Sequence, residues 1–195
     1  AVSCAQWTGV RLRDVLERIG VKDDAVYLAY HSRDQHLSGD SKKEAISRGI
    51  PISKAMMDET LLAYKMNQED IPLIHGQPLR LVVGGWPASA SGKWLTQLSI
   101  RNIVHDGAKM GGQAYRIPCE TVAPGTPVSD KDMCIIESMP VKSLLTYPKS
   151  GALLENQKNL EIRGHAWAGE LAVSAVYYSI DFGATWDVCH LSAPI

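Results

Sequence analysis

The stretch from His75 to Trp94 constrains the fold most, because a Gly/Pro turn, an apolar run and a small-residue loop follow one another without a gap. His75 opens it in the turn His-Gly-Gln-Pro. Leu79 to Val83 then reads as a short strand interrupted by Arg80. Gly84 to Gly92 is a loop of Gly, Ala and Ser, and Lys93 stands at its far end. A lone arginine is unusual in a buried strand. Glycines let a backbone approach a ligand closely. His75, Arg80, Ser91 and Lys93 therefore put three potential cations and a hydroxyl into one strand–loop unit, the donor set that grips a phosphorylated or anionic ligand. An exposed strand end with solvated charges accounts for the same residue types equally well.

The surrounding chain reads as an ordinary globular sequence. Its 195 residues suffice for one large domain, or for one medium and one small. Apolar residues make up 45% and charged residues 21%, and the net charge of −1 gives no electrostatic case for nucleic-acid binding. No apolar run has the length of a membrane span. The first residues lack a signal-peptide pattern, and Ala1-Val2-Ser3-Cys4 reads as the middle of a strand, as if cut from a longer polypeptide. The four cysteines, Cys4, Cys119, Cys134 and Cys189, form no Cys-x-x-Cys pair and suggest buried or half-buried free thiols without a disulfide framework.

Trp7 to Gly20 is expected to be a helix, with Val10, Leu12, Val15, Leu16 and Ile19 at helical spacing and Gly20 as its stop. Ala25 to His31, Leu61 to Met66 and Leu95 to Val104 read as strands, with short helical turns near 39–48 and 53–58. Asn67 to Ile71 reads as a turn, and His105 to Pro118 as a Gly-rich loop carrying Tyr115 and Arg116. Pro124-Gly125-Thr126-Pro127 looks like an interdomain linker. Beyond it, Leu160 to Trp167, Leu171 to Ile180 and Trp186 to Leu191 alternate as short strands, with a hairpin turn at Asp181-Phe182-Gly183. Asp-Phe-Gly also occurs in protein kinases, but the catalytic and Gly-rich loops that give it that meaning are absent. No GxGxxG, Walker or HExxH motif supports a nicotinamide, nucleotide or zinc-protease reading.

His-Gly-x-Pro-x-Arg followed by a small-residue loop ending in Lys93-Trp94-Leu95 resembles the molybdopterin-binding core of the sulfite oxidase family. The likeness extends, in the family's order, over Trp7-Thr8-Gly9-Val10-Arg11-Leu12-Arg13-Asp14, Gly49-Ile50-Pro51, Leu62-Ala63-Tyr64-Lys65-Met66-Asn67 and Ser179-Ile180-Asp181-Phe182-Gly183. The resemblance implies an α+β architecture. A partial mixed α/β molybdopterin-binding domain over residues 1–132 would precede a partial immunoglobulin-like β-sandwich over 133–195, which makes the dimer interface in the family.

The resemblance further implies a molybdenum–molybdopterin cofactor and sulfite oxidation to sulfate by oxo transfer, with electrons passed to a cytochrome c. His75, Arg80 and Lys93 would hold the pterin and its phosphate, Ser91 would donate a hydrogen bond, and Asp34 would accept from the pterin ring. Tyr115, at the family's position after a one-residue shift, would face the metal and substrate, with Arg116 helping to attract the anion. The molybdenum-ligating cysteine and the sulfite-binding arginine beside it belong upstream of the match, so this chain is expected to supply no metal ligand. Cys4 falls where the family has a small residue. Alternatives are a sulfane dehydrogenase, a nitrate reductase, or a non-catalytic dimerisation module. A homodimer or cytochrome heterodimer and a periplasmic location are further expectations from the likeness.

Overall fold

A computed structural model describes residues 4–111, 114–153 and 159–193. The strand expected at Ala1 to Ser3 lies outside them. The chain divides into two compact units, Ala1–Glu137 and Ser138–Ile195.

The first unit is built on two antiparallel sheets. In one, β4 (Thr60–Met66) is central, with β1 (Trp7–Arg11) on one side and β6 (Arg80–Val83) and the short β5 (Glu69–Asp70) on the other. In the other, β2 (Tyr27–Ser32) lies between β3 (Gly49–Pro51) and β7 (Leu95–Arg101). Asn67 and Gln68, both at positive φ, make the tight turn from β4 into β5. A third pairing joins β8 (Arg116–Pro118) to β9 (Met133–Ile135).

The helix expected from Trp7 is shorter than its spacing suggested. Residues 7–11 form β1, and α1 covers only Leu12–Ile19. Trp, Thr and Val favour a half-buried pleated surface. Gly9 lets β1 approach β4 closely, since a Cβ there would lie 2.7 Å from the Ala63 Cα. The helical spacing that remains is real: Leu12 and Leu16 are buried, and the Gly20 amide donates to the Leu16 carbonyl at 3.0 Å with φ of 78°. These leucines join Leu28, Tyr30, Ile50, Leu81, Val83 and Trp86 in the core cluster. No helix forms within 39–48; that segment carries a turn closed by the Lys43 amide on the Asp40 carbonyl at 3.1 Å, and Glu44 forms a bridge with Gln35. The turn after Pro51 is present as α2 (Ile52–Ala55).

The cysteine reading needs correction. Cys119 and Cys134 form a disulfide whose Cα atoms are 5.0 Å apart. Their separation of 15 residues looked like scatter, but the pairing of β8 with β9 brings them side by side. Cys4 is an exposed free thiol and Cys189 a half-buried one.

The second unit contains a pair of two-stranded antiparallel sheets, β10 (Lys142–Tyr147) with β11 (Arg163–Trp167), and β12 (Tyr177–Tyr178) with β13 (Asp187–Val188). The strand expected from Leu171 is limited to Tyr177–Tyr178. The turn at Asp181-Phe182-Gly183 is present. The Asp181 carboxylate accepts from the Thr185 amide at 2.9 Å and from the Ser179 and Thr185 hydroxyls, each at 2.7 Å. These bonds, led by the Thr185 hydroxyl, draw its pKa down to about 2. Among the described residues, no helix is long and apolar enough to cross a membrane.

Candidate functional site

The loop after β6 folds back along that strand. The Leu81 amide donates to the Gly92 carbonyl at 2.8 Å, the Leu95 amide to the Leu79 carbonyl at 2.9 Å, and the Val83 amide to Ser91 Oγ at 3.0 Å. Small residues are required for this return. Gly92 lies flat on the buried Tyr30 ring, where a Cβ would sit 2.6 Å from Cε2. Tyr30 in turn donates its hydroxyl to the Ser89 carbonyl at 2.7 Å, and burial pushes its phenol pKa up.

Gly76, at φ of 114°, is the point around which the sequence-picked cations gather. A Cβ on it would lie 3.0 Å from Lys93 Cβ and 3.3 Å from Arg80 Cβ. Arg80 donates from Nη1 to the His75 carbonyl at 2.9 Å and from Nη2 to the Ser91 carbonyl at 3.2 Å. Its guanidinium lies 4.7 Å from the Trp7 ring centre. Lys93 donates to the Ile74 carbonyl at 3.1 Å and sits 4.3 Å from the Trp94 ring centre. His75 contributes to this cluster through its backbone carbonyl.

Asp34 lies apart from these cations in the sequence, but it lines a cleft of about 730 Å³ that reaches the same segments. The other walls include Arg33, Leu73, Gln77, Pro78 and Trp94. The Arg33 amide donates to the Trp94 carbonyl at 3.1 Å, and the Trp94 indole donates to the Leu73 carbonyl at 2.8 Å, which ties the cleft walls together. The structure thus collects His75, Arg80, Ser91 and Lys93 around one loop and sets Asp34 in the adjoining cleft.

Tyr115 and Arg116 come from the segment that leads into β8. Tyr115 has φ of 55° and is 42% exposed, so its ring remains accessible. Its carbonyl accepts from the Ile136 amide at 3.1 Å. Arg116 donates to the Met110 carbonyl at 2.7 Å and to the Met133 carbonyl at 3.0 Å, so both amino groups brace the backbone. These carbonyls are neutral, so they orient the Arg116 guanidinium as the His75 and Ser91 carbonyls orient Arg80. Arg48, which the sequence reading passed over, is 1% exposed and lies 5.0 Å from the Tyr115 ring centre. The signal that could have found it is the one that singled out Arg80: a lone arginine beside an apolar strand.

The electrostatics fit an anionic ligand. Among the described residues, neither Arg80 nor Lys93 forms an ion pair with a carboxylate, although Arg11, Arg13, Lys54 and Arg101 all do. Burial lowers the Arg80 pKa, and its Nε is buried without a hydrogen-bond partner. Neutral carbonyls orient the two cations without cancelling their charge.

Comparison with known proteins decides what this arrangement belongs to. Residues 1–109 match the family described as the oxidoreductase molybdopterin binding domain. The chain belongs to the sulfite oxidase family. Residues 133–194 match the Mo-co oxidoreductase dimerisation domain. The mitochondrial sulfite oxidase of Homo sapiens is 34% identical over 98% of this chain and 35% of its own length. The nitrate reductase [NAD(P)H] of Hordeum vulgare is 27% identical over 100% of this chain and 23% of its own length. In structure, the sulfane dehydrogenase SoxCD from Paracoccus pantotrophus is similar with a TM-score of 0.75 and 27% identity, over 97% of this chain and 44% of that one. The chain thus spans about a third of the length of its sulfite oxidase relatives.

The donor set fits the cofactor of this family. Arg80 and Lys93 carry uncompensated charge suited to a phosphate. Asp34 offers a carboxylate to ring N–H groups, and the cleft has the volume of an ordinary small-molecule site.

Proposed function

We propose that the full-length protein is a sulfite dehydrogenase that oxidises sulfite to sulfate and passes the electrons to a cytochrome c. The observation that carries this reading is the pair Arg80 and Lys93, gathered about Gly76 beside the Asp34 cleft without a carboxylate partner among the described residues. Bound molybdopterin–molybdenum supplies the oxo transfer and the two-electron step. The chain's own residues bind and orient. Arg80 and Lys93 would neutralise the cofactor phosphate, Ser91 would shape the loop through the Val83 amide, and Asp34 would accept from the pterin. Tyr115 would donate its hydroxyl to the substrate oxyanion as charge develops, an interaction stronger in the transition state than in the ground state.

Sulfane oxidation is the competing reading, favoured by the structural likeness to SoxCD over 97% of this chain. Both readings use the same cofactor, so Arg80 and Lys93 would hold its phosphate in either case, and the Tyr115 hydroxyl would face either sulfur-centred anion. We further propose assembly as a homodimer through the second unit, supported by its match to a dimerisation domain. The likeness to SoxCD is compatible with a cytochrome subunit as a partner. The disulfide supports maturation in an oxidising compartment such as the periplasm.

The deciding experiment uses purified full-length protein normalised to molybdenum: steady-state reduction of a cytochrome c with sulfite or a sulfane-sulfur donor offered separately, and, in a second assay, nitrate-dependent oxidation of a reduced viologen dye. Sulfite-dependent turnover is the expected result. Turnover with the sulfane donor alone would move the assignment to the competing reading, and nitrate reduction would move it to the nitrate reductase branch. Molybdenum-free protein inert to all of them would leave a dimerisation module.

A further inference from the structure

Arg48 is the largest fully buried side chain among the described residues and plays no part in the function proposed above. A guanidinium in such a place costs free energy unless something neutralises it. Among the described residues it forms no ion pair with a carboxylate. Its arms instead reach neutral groups on separate segments. Nη1 donates to Ser89 Oγ at 2.7 Å, and Nη2 to the Ile136 carbonyl at 3.4 Å. The guanidinium carbon lies over the Tyr115 ring, 5.0 Å from its centre. Nε is buried without a partner. Burial lowers the Arg48 pKa, and the surrounding tyrosines, Tyr27, Tyr30 and Tyr115, pull it back up.

The contacts form a closed arrangement. Ile136, whose carbonyl receives Nη2, donates its own amide to the Tyr115 carbonyl at 3.1 Å. Tyr115 is therefore held through its ring by Arg48 and through its backbone by Ile136. Ser89, which receives Nη1, lies in the turn Ala88–Ala90 immediately before Ser91, and its carbonyl accepts the Tyr30 hydroxyl. A leucine or methionine would fill the same volume without the charge penalty. What a planar fork with a cationic face adds is simultaneous direction of a ring and two hydrogen bonds.

We propose that Arg48 is a positioning residue that sets the Tyr115 hydroxyl relative to the 88–91 loop, an inference that rests on Tyr115 acting on substrate as proposed above. Arg48 does not touch the substrate. It fixes one angle between the loop expected to bind the cofactor and the ring expected to serve the reaction. Misplacing a catalytic donor by about 1 Å costs on the order of a hundredfold in rate. Arg48→Lys keeps the charge and loses the fork, and Arg48→Met keeps the packing and loses both.

The first test is amide hydrogen exchange by mass spectrometry on the full-length protein carrying either substitution. Exchange should quicken in peptides covering 87–91, 114–118 and 133–137 and stay unchanged in β4 and β10. Uniform quickening, or none, would overturn the proposal and leave Arg48 a core residue; should the methionine variant fail to fold, the lysine variant carries the test. The second test is a double-mutant cycle with Tyr115→Phe, followed by sulfite turnover. Arg48→Lys should lower kcat about tenfold to a hundredfold with KM nearly unchanged, and should cost less than about twofold more once the hydroxyl is gone. Full additivity would overturn the proposal. A wild-type protein without sulfite turnover would sink the sulfite reading alone, because the exchange pattern decides the role of Arg48 without it.

Discussion

Arg101 donates from Nη1 to Nδ1 of His105 at 3.0 Å, which leaves the histidine proton on Nε2. The rest of the chain of bonds agrees. His105 Nε2 meets Ser47 Oγ at 2.8 Å, and Ser47 passes its own hydrogen to the Tyr30 carbonyl at 2.7 Å. Burial, then Arg101, then the His31 ring hold the imidazole pKa below its ordinary value, against a weaker pull from Asp106 and Glu44. The folded state therefore keeps His105 neutral where the unfolded chain already takes up a proton. Its contribution to stability is complete above the unfolded value of about 6.5 and is lost as pH falls from there toward the lowered folded value. Thermal melts between about pH 7.5 and about pH 5 should show the fall, and His105→Gln should flatten this part of the profile. An unchanged slope in the variant would assign the acid sensitivity elsewhere.

Arg80→Ala removes two carbonyl braces and the stack on Trp7, and with them the charge offered to a phosphate. A charge-assisted contact is worth about 1.5–3 kcal/mol, so cofactor retention should weaken roughly tenfold to a hundredfold. The check is molybdenum per polypeptide by elemental mass spectrometry. Wild-type content in the variant would return Arg80 to a purely structural role.

Tyr115→Phe deletes one hydroxyl and leaves the ring over Arg48. Folding and molybdenum content should hold. Sulfite-dependent kcat/KM should drop about tenfold to a thousandfold, the range for one preorganised donor. Full activity in this variant would make Tyr115 a packing residue.

Gly92→Ala should destabilise the first unit, because the added Cβ would meet a Tyr30 ring that is buried and pinned through its hydroxyl to Ser89. Overpacking of this kind costs about 1–3 kcal/mol. A lower denaturation midpoint is the readout, and a midpoint equal to wild type would show that the ring yields.

The loop from His75 to Lys93 was legible because its residue types are conspicuous in sequence. A lone arginine interrupts an apolar run, glycines and serines follow, and a lysine closes the loop. Asp34 took its pterin role only from the family likeness, since its spacing to His31 and His36 fits a polar loop after a strand as well as a ligand group. β1 was hidden because Val10 and Leu12 also satisfy a helical repeat, and the choice between strand and helix was made by pairing with β4, a partner more than 45 residues away. Arg48 was hidden by the same non-local cause. Its burial depends on Ser89, Tyr115 and Ile136 arriving from distant points of the chain. The disulfide depended on the β8–β9 ladder, which no cysteine count can supply.

The bond between Cys119 and Cys134 encloses the excursion from Glu120 to Met133 in a covalent ring anchored beside the β8–β9 ladder. A protease that cuts once within this exposed excursion therefore releases nothing. The two halves stay fastened at the base of the ring, with Tyr115 on one side and Ile136 on the other still paired. Such a clipped molecule would migrate as a single band in non-reducing electrophoresis and as two once a thiol is added. The excursion can thus be a wear surface, open to scission and to insertions, without disturbing the strands that carry it.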